Sequence, residues 1–160
     1  MKPISTSFIK TELGFLSVTT SKGVVQSILF NDNYDGLEVI ADETASAVQK
    51  QLDEYFSGKR TQFELTLDPS GTAFQKQVWK NLEEIPYGKT VSYHQQALRV
   101  GNLKAIRAVA SANGKNPVAI VIPCHRVIGS NGSLTGYAGG LDRKRKLLEL
   151  EKKSKQVNLF

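Results

Sequence analysis

Residues 92–112, with the sequence SYHQQALRVGNLKAIRAVASA, decide the architecture that we expect for this chain. Ser92 and Gln95 have the spacing of a capping box, which favours the start of a short helix. Gly101 and Asn102 end that helix and begin another one, which is rich in small residues. Two short helices joined by a tight glycine-containing turn have the outline of a helix-turn-helix, although generic helical hairpins share this outline.

The segment that follows joins an apolar run to the single cysteine of the chain. Val118–Ile122 is continuously apolar and rich in β-branched residues, which predicts a strand buried on both faces. It leads directly into Pro123-Cys124-His125-Arg126-Val127. The neighbouring His125 and Arg126 would stabilise a Cys124 thiolate and lower the pKa of the thiol, as a nucleophile requires. The alternative is that Cys124 is a small buried apolar residue.

The residues before Ser70 predict a separate α+β unit. A β-meander is followed by a helix and one more strand. The predicted strands are Ile4–Lys10, Phe15–Thr19, Val24–Phe30 and Thr61–Leu67, and the predicted helix runs from about Asp42 to Gly58. Because the stretch from Asp68 to Gly71 is typical of a linker, we expect domains at residues 1–70 and 71–160.

The remaining elements predict a mostly helical second domain. A capping box at Thr72–Gln75 opens a helix, Gly129–Gly132 is typical of a hairpin turn, and Tyr137–Gly140 forms a loop in which glycines allow close approach. A basic helix from Asp142 to about Lys153 ends the pattern, with Leu147, Leu148 and Leu150 facing inward.

Composition excludes a disordered chain and shows an uneven charge distribution. The 160 residues are 40% hydrophobic and 22% charged, and the net charge is +6. Residues 1–70 hold six basic and ten acidic side chains, whereas residues 71–160 hold fifteen basic and five acidic ones, a net charge of +10. So basic a second half suggests a polyanionic partner, most often nucleic acid, or else a solvated tail.

Other classes of protein are disfavoured by what the chain lacks. One cysteine cannot form an internal disulfide, and with only two histidines a zinc site would need carboxylate ligands, so we expect no metal site. No motif suggests a cofactor, and we expect none. No apolar run approaches the ~20 residues of a membrane-spanning helix, and the N-terminus lacks a signal-peptide core. We therefore expect a cytoplasmic protein that does not bind membranes.

The motif at Ile122–Val127 resembles the active-site region of the O6-alkylguanine-DNA alkyltransferases, the methylated-DNA–protein-cysteine methyltransferases. It stands in register with Gly101-Asn102, Arg107-Ala-Val, Asn116-Pro-Val, Tyr137 and Glu151. The match runs from about Thr72 to Glu151, and the first seventy residues match only in their α+β outline. The resemblance implies an α+β protein with a small ribonuclease H-like N-terminal domain. A mostly helical, winged-helix-like C-terminal domain with a helix-turn-helix would follow.

The resemblance implies the roles of five catalytic residues. Cys124 corresponds to the acceptor that takes the alkyl group from O6-alkylguanine and keeps it as a thioether, in a single turnover. His125 corresponds to a general base that acts through a water, and Glu151 to the carboxylate that orients it. Asn116 corresponds to the asparagine that holds the turns around the active-site segment. Tyr93 corresponds to a phenol that donates a hydrogen bond to the leaving guanine.

The resemblance also implies double-stranded DNA containing O6-alkylguanine as the partner of a monomeric protein. Arg107 corresponds to a finger that enters the base stack and replaces the extruded nucleotide. The small residues Ala105 and Ala108 would let the recognition helix lie close to DNA, in the minor groove. Ser92 and Arg126 complete the expected set of DNA-contacting residues.

The expected substrate pocket consists of the wall Tyr137-Ala138-Gly139 together with Val127 and Ala119. Ala138 replaces a serine found in other members, and Ala119 replaces a proline found in some, so the preference for alkyl groups is open. Lys144 matches a lysine near the active site, but a surface or phosphate-contacting charge is an equal alternative.

Two other functions remain open on the residues alone. The first is a cysteine-dependent hydrolase with Cys124 as nucleophile and His94 or His125 as base, which would turn over a small ester or amide. The second is a non-catalytic winged-helix protein that binds damaged DNA. The presence of Cys124 argues against the second alternative, because non-catalytic relatives replace the acceptor cysteine.

Overall fold

The computed structural model describes residues 4–157, and its first elements form an antiparallel meander. The strands are β1 (Ser5–Thr11), β2 (Gly14–Ser21) and β3 (Val24–Phe30), in the order β1-β2-β3. Pairs such as Ile9 with Leu16 and Val18 with Ile28 are fully buried, because alternate side chains of each strand point to the same face. The three predicted strands are thus confirmed to within two residues at each end.

One helix, α1 (Glu43–Phe56), covers this sheet. Asp42 caps its N-terminus by accepting a hydrogen bond from the Ala45 N–H at 2.8 Å, and Thr20 Oγ1 donates to the other carboxylate oxygen of Asp42 at 2.5 Å. The predicted helix is confirmed, and Val48, Leu52 and Tyr55 on one of its faces are fully buried.

The predicted strand Thr61–Leu67 is wrong. Only Leu67 makes an isolated parallel bridge, to Val25. At Glu64, earlier in this segment, the backbone binds the buried side chain of Gln51 instead of a neighbouring strand. Glu64 N donates to Gln51 Oε1 at 2.8 Å, and Gln51 Nε2 donates to Glu64 O at 3.2 Å. The backbone is therefore satisfied by a side chain of α1, a contact that local propensity does not reveal.

Six elements of regular structure build most of the second part of the chain. They are α2 (Ala73–Leu82), β4 (Val91–Ser92), α3 (Tyr93–Val100), α4 (Ile106–Gly114), β5 (Val127–Ile128) and the last helix α5 (Leu141–Val157) together with 3-10 turns at Leu103–Ala105 and Cys124–Arg126. Both predicted capping boxes are present, at Thr72 with Gln75 and at Ser92 with Gln95. The helix-turn-helix is α3 and α4, which pack on each other and on α2.

Polar side chains fix the packing of these helices. Trp79 is buried and its Nε1 donates to Ala112 O at 2.9 Å. Gln96 on α3 and Asn113 on α4 exchange two amide hydrogen bonds of 2.7 Å in the interior. Both contacts satisfy buried polar groups, as a stable interior requires.

Two further expectations about strands are wrong. Val118 makes only an isolated parallel bridge to Ile28, after which the chain turns at Ile120 with φ 71° instead of continuing as a strand to Ile122. The turn at Gly129 forms, with Gly132 N donating to Gly129 O at 2.9 Å. Gly129 N also donates to Ser133 O at 2.8 Å, but among the described residues no strand follows this turn, so it does not join two strands of a hairpin.

The described chain divides into two compact units. The first contains residues up to Ser70 together with Pro117–Ala119, and the second contains Gly71–Asn116 and the described residues from Ile120 onward. The mixed α+β class with a mostly helical C-terminal region is confirmed. Within residues 4–157, no helix combines the length and the apolarity that crossing a membrane would need.

Candidate active site

The C-terminal unit contains a cavity of about 590 Å³. Its walls come from α3, from α4 and from the loops that contain Cys124 and Thr135–Ala138. The lining residues are Tyr93, His94, Ile106, Arg107, Ala110, Asn113, Gly114, Cys124, Ser130, Thr135, Gly136, Tyr137 and Ala138. A cavity of this size holds a small organic group such as a nucleobase.

Cys124 lies at the start of a 3-10 turn, immediately after Pro123. Asn116 Nδ2 donates to Ile122 O at 2.8 Å and to Cys124 Sγ at 3.3 Å, so this amide joins the segment before the cysteine to the sulfur itself. Burial raises the pKa of the thiol, and the Asn116 hydrogen bond and the charge of Lys144 only partly oppose it. The expectation of a lowered pKa is therefore wrong, because removal of the thiol from water outweighs nearby positive charge.

His125 is fully buried and is bonded to Glu151. Its Nε2 lies 2.7 Å from Glu151 Oε2. Because a carboxylate only accepts, we assign the ring proton to Nε2, which leaves Nδ1 unprotonated. Burial lowers the pKa of His125 despite the contact with Glu151, so the imidazole is neutral near pH 7. A neutral buried imidazole with an unprotonated Nδ1 is equipped to accept a proton.

Arg126 holds the other side of the Glu151 carboxylate. Its Nε donates to Oε1 at 2.8 Å, its second terminal nitrogen to Oε2 at 3.0 Å, and its first terminal nitrogen to Ile85 O at 2.7 Å. Burial disfavours the charged form of Glu151, but the hydrogen bonds and charges of His125 and Arg126 outweigh it and lower the pKa to about 2. This buried position contradicts the expected contact of Arg126 with DNA, because its guanidinium is engaged inside the protein.

Tyr93 and Lys144 both donate hydrogen bonds to the loop at Thr135 and Gly136, which lines the cavity. The Tyr93 hydroxyl donates to Thr135 O at 2.9 Å, and Lys144 Nζ donates to Thr135 O at 2.8 Å and Gly136 O at 3.2 Å. Lys144 is fully buried, and burial lowers its pKa. The structure thus contradicts the reading of Lys144 as a surface charge.

The predicted pocket residues divide into two groups. Tyr137 and Ala138 line the cavity, whereas Gly139, Val127 and Ala119 are not among its lining residues. The Gly139 carbonyl accepts from Arg143 at 3.2 Å, Val127 is fully buried in β5, and Ala119 belongs to the N-terminal unit. The roles of these three residues in the substrate pocket stay predictions.

The residues that we expected to contact DNA differ in how exposed they are. Arg107 and Ala108 are exposed on the first turn of α4, and Arg107 also borders the cavity. Ala105 is half-buried at the end of the 3-10 turn. The Ser92 hydroxyl accepts from Gln95 N at 3.1 Å, so its first role is to cap α3.

Several lining residues were not assigned to the pocket from the sequence, although His94 was considered as the base of a hydrolase. Ile106, Ala110, Asn113 and Gly114 are spaced at i, i+4, i+7 and i+8 on α4, so the helical period could have placed them on one wall. His94 and Ser130 are different, because their hydrogen bond of 2.8 Å joins helix α3 to the turn after β5, 36 residues away. No local signal predicts that pair.

The described residues contain no cluster of side chains that could hold a metal ion. Among residues 4–157, no three His, Cys, Asp or Glu side chains are placed to hold a metal ion.

Comparisons with known proteins cover both units. Residues 73–153 match the family model described as 6-O-methylguanine DNA methyltransferase, DNA binding domain, and residues 4–69 match the model of the ribonuclease-like domain of the same family. A methylated-DNA–protein-cysteine methyltransferase of Methanosarcina barkeri is 61% identical over 102 residues, which are 64% of this chain and 65% of that protein.

Solved structures resemble the chain over nearly its whole length. The crystal structure of Mycobacterium tuberculosis O6-methylguanine methyltransferase has a TM-score of 0.85 and 42% identity, and it covers 95% of this chain and 94% of its own. The M. tuberculosis OGT protein in complex with DNA has a TM-score of 0.83 and 44% identity, with 92% of each chain covered. Matches to two family models that together span residues 4–69 and 73–153, and agreement in fold at this level of identity, show that the chain belongs to the 6-O-methylguanine DNA methyltransferase family.

Proposed function

We propose that this protein repairs DNA by transferring the alkyl group of O6-alkylguanine, mainly O6-methylguanine, to its own Cys124. The observation that carries this proposal is the placement of the only cysteine in a base-sized cavity, next in sequence to a buried His125 bonded to Glu151. The sulfur attacks the alkyl carbon, an S–C bond forms and the C–O6 bond of the modified base breaks. The thioether has no route back, so each molecule acts once.

The raised pKa of Cys124 makes a base necessary for this step. The thiol is protonated at neutral pH, and the thiolate is the nucleophile. Neutral His125 accepts the thiol proton through its Nδ1, with a bridging water, and Glu151 stabilises the imidazolium that forms. Asn116 steadies the sulfur through its 3.3 Å contact.

Tyr93 stabilises the departing guanine. As the C–O6 bond breaks, negative charge develops on the base, and a phenol hydroxyl is a suitable donor to it. In the structure this hydroxyl donates to Thr135 O. When the base binds, it replaces Thr135 O as the acceptor of this hydroxyl, and Tyr137 and Ala138 also line the cavity.

Binding to DNA is supported by the charge and by the fold. Residues 71–160 carry a net charge of +10, and the DNA complex of the M. tuberculosis OGT protein has the same fold. The reacting carbon is inaccessible inside a duplex, so the nucleotide must be extruded. Arg107, exposed and beside the cavity, fills the vacated space from the minor groove, and Ala105 and Ala108 permit close approach.

The proposal extends to the organisation of the molecule. A monomer acts in the cytoplasm, residues 71–160 bind DNA and transfer the alkyl group, and residues 1–70 support that domain. The segment Pro117–Ala119 belongs to the N-terminal unit, although it lies between Asn116 and Cys124 in the sequence. This supports the proposed supporting role of the N-terminal domain.

The direct test is to incubate the protein with a duplex bearing O6-methylguanine and to weigh it. We expect a gain of one methylene equivalent on the peptide that contains Cys124, and no gain in Cys124→Ala. An unmodified wild-type protein after complete incubation would sink the proposal. A hydrolase would instead release product over many turnovers, and a non-catalytic binding protein would retain the duplex without changing mass.

The role of Arg107 is tested by comparing two substrates. Arg107→Ala should slow methyl transfer from duplex DNA at least about tenfold while leaving transfer from the free base O6-methylguanine nearly unchanged, because only the duplex requires extrusion. Arg60→Ala, in the N-terminal unit, is the control for loss of one positive charge. Equal losses on both substrates would assign Arg107 another role.

A further inference from the structure

We propose that Arg126 is a positioning residue for alkyl transfer: its guanidinium orients the Glu151 carboxylate and offsets its charge, so that His125 stays neutral and can accept the Cys124 proton. The inference rests on the proposed function, because it explains how the base of that reaction is kept ready. It replaces the contact with DNA that the sequence had suggested for this residue.

The geometry is that of a planar fork closed on a carboxylate. The Arg126 side chain is 8% exposed and that of Glu151 is 1% exposed. Two of the three guanidinium nitrogens bind the two oxygens of Glu151, and the third binds Ile85 O. The carboxylate is thus fixed in plane, with Oε2 directed to His125 Nε2 at 2.7 Å.

Arg126 offsets the charge of the same Glu151 oxygen that His125 contacts. Glu151 Oε2 accepts from both His125 and Arg126. A buried carboxylate with no cation beside it draws a proton onto a neighbouring imidazole, because opposite charges attract strongly where water is excluded. An imidazolium cannot act as a base. Arg126 supplies the positive charge in advance, so the imidazole can remain neutral until the thiol proton arrives.

The other titratable groups around His125 do not replace Arg126. Lys144 on α5 also disfavours the imidazolium, but its ammonium binds the carbonyls of Thr135 and Gly136. Cys124 and the phenols Tyr87 and Tyr137 have raised pKa values because of burial, so all three are neutral near pH 7. The Tyr87 ring lies 5.7 Å from the Arg126 guanidinium and forms one wall of its site.

The chain offers a direct measurement, because it contains only His94 and His125. Histidine labelled with nitrogen-15 reports the tautomer and the charge of each ring by NMR, and exposed His94 serves as the internal reference. In the full-length wild-type protein we expect neutral His125 with the proton on Nε2 at pH 7 and above. A doubly protonated His125 in that range would overturn the proposal, without any variant being needed.

Two variants then separate charge from shape. Arg126→Gln keeps an amide for hydrogen bonding but removes the charge, so the pKa of His125 should rise by about one to three units. Arg126→Lys keeps the charge and should leave His125 neutral. The matched control is Arg60→Gln, which breaks the Arg60–Glu54 ion pair of 3.1 Å in the other unit. An Arg126→Gln protein with unchanged titration of His125 would overturn the proposal.

The pH profile of single-turnover methyl transfer provides a second readout. The acid limb of the profile should move to higher pH in Arg126→Gln by the same amount as the pKa of His125, and Arg126→Lys should restore the wild-type position. A uniform loss of rate with an unshifted profile would show a merely structural role. If wild-type protein transfers no methyl group but the NMR results hold, the proposed function fails while the role of Arg126 in setting the state of His125 survives.

Discussion

Four side chains, those of Asn116, His125, Arg126 and Glu151, form the polar surroundings of the Cys124 sulfur. Asn116 contacts the thiol directly, whereas Glu151 acts through His125 and is itself held by Arg126. The thiol has a raised pKa and the imidazole a lowered one, and both shifts arise first from burial. Burial therefore favours the neutral form of both groups, as the proposed transfer of the thiol proton to His125 requires.

Glu151 should also govern stability in acid. Its pKa is lowered to about 2, so its ionised form stabilises the folded protein above about pH 4.5, and this contribution is lost as the pH falls from there towards 2. Glu151→Gln should be about 3 to 5 kcal/mol less stable at pH 7, because Arg126 is left buried without a counter-charge. Its stability should also depend less on pH below 4.5. Urea unfolding between pH 3 and pH 7 measures both effects.

The control for this prediction is Glu149→Gln on the same helix. The Glu149 side chain is 63% exposed and its contact with Arg145 is 3.5 Å, so its loss should change the free energy of unfolding by less than about 0.5 kcal/mol. A Glu151→Gln protein with the same acid profile as wild type would contradict the assignment.

Helices and strands of this chain differ in how much of their placement is local. The capping boxes at Thr72 and Ser92 are complete within four residues, so each helix start is encoded where it occurs. The predicted strands at Thr61–Leu67 and Val118–Ile122 fail for the opposite reason. Each makes only a single bridge, to Val25 or to Ile28, and the rest of its backbone follows partners from distant segments.

The amide pair between α3 and α4 should stabilise the helix-turn-helix. Gln96→Leu removes both 2.7 Å hydrogen bonds and leaves the Asn113 amide buried without them, which should cost about 1 to 3 kcal/mol of unfolding free energy. Asn113→Leu should cost a similar amount. The double variant should lose less unfolding free energy than the sum of the two single variants, because it leaves no buried amide without its partner.

Urea unfolding of the four proteins completes this cycle. The exposed Gln77 on α2, which donates to Val100 O at 3.0 Å, provides the control variant Gln77→Leu, expected to change stability by less than about 0.5 kcal/mol. Strict additivity of the Gln96 and Asn113 variants would show that the pair is not energetically coupled.

At the scale of the whole molecule, charge and chemistry separate along the chain. The first seventy residues are acidic overall and the remainder carry +10. Not all of that positive charge faces solvent, because Arg126 and Lys144 are buried in the C-terminal unit. A net charge indicates a polyanionic partner, but it does not say which cations meet that partner.

The candidate site was predicted best where a motif carries the chemistry. Cys124, Tyr93, Arg107, Tyr137 and Ala138 were named from the sequence and all border the cavity. Val127 and Gly139 stand beside those residues in the chain but do not line it. Position in the sequence cannot decide such cases, because neighbouring residues of an extended or turning segment point in different directions.

The sequence by itself determined the α+β class, the helix-turn-helix, the family and the cysteine, because capping, apolar period and motif spacing are local properties. Only the tertiary structure decided the environment of that cysteine. It brought Arg126 into hydrogen-bonding contact with Glu151, 25 residues away in the sequence, and it buried Lys144 against the loop at Thr135 and Gly136. It also raised the pKa of the thiol that its neighbours in sequence would lower. The physical reason is that burial and long-range hydrogen bonds depend on which distant segments pack together, and this sets the energy of each charge.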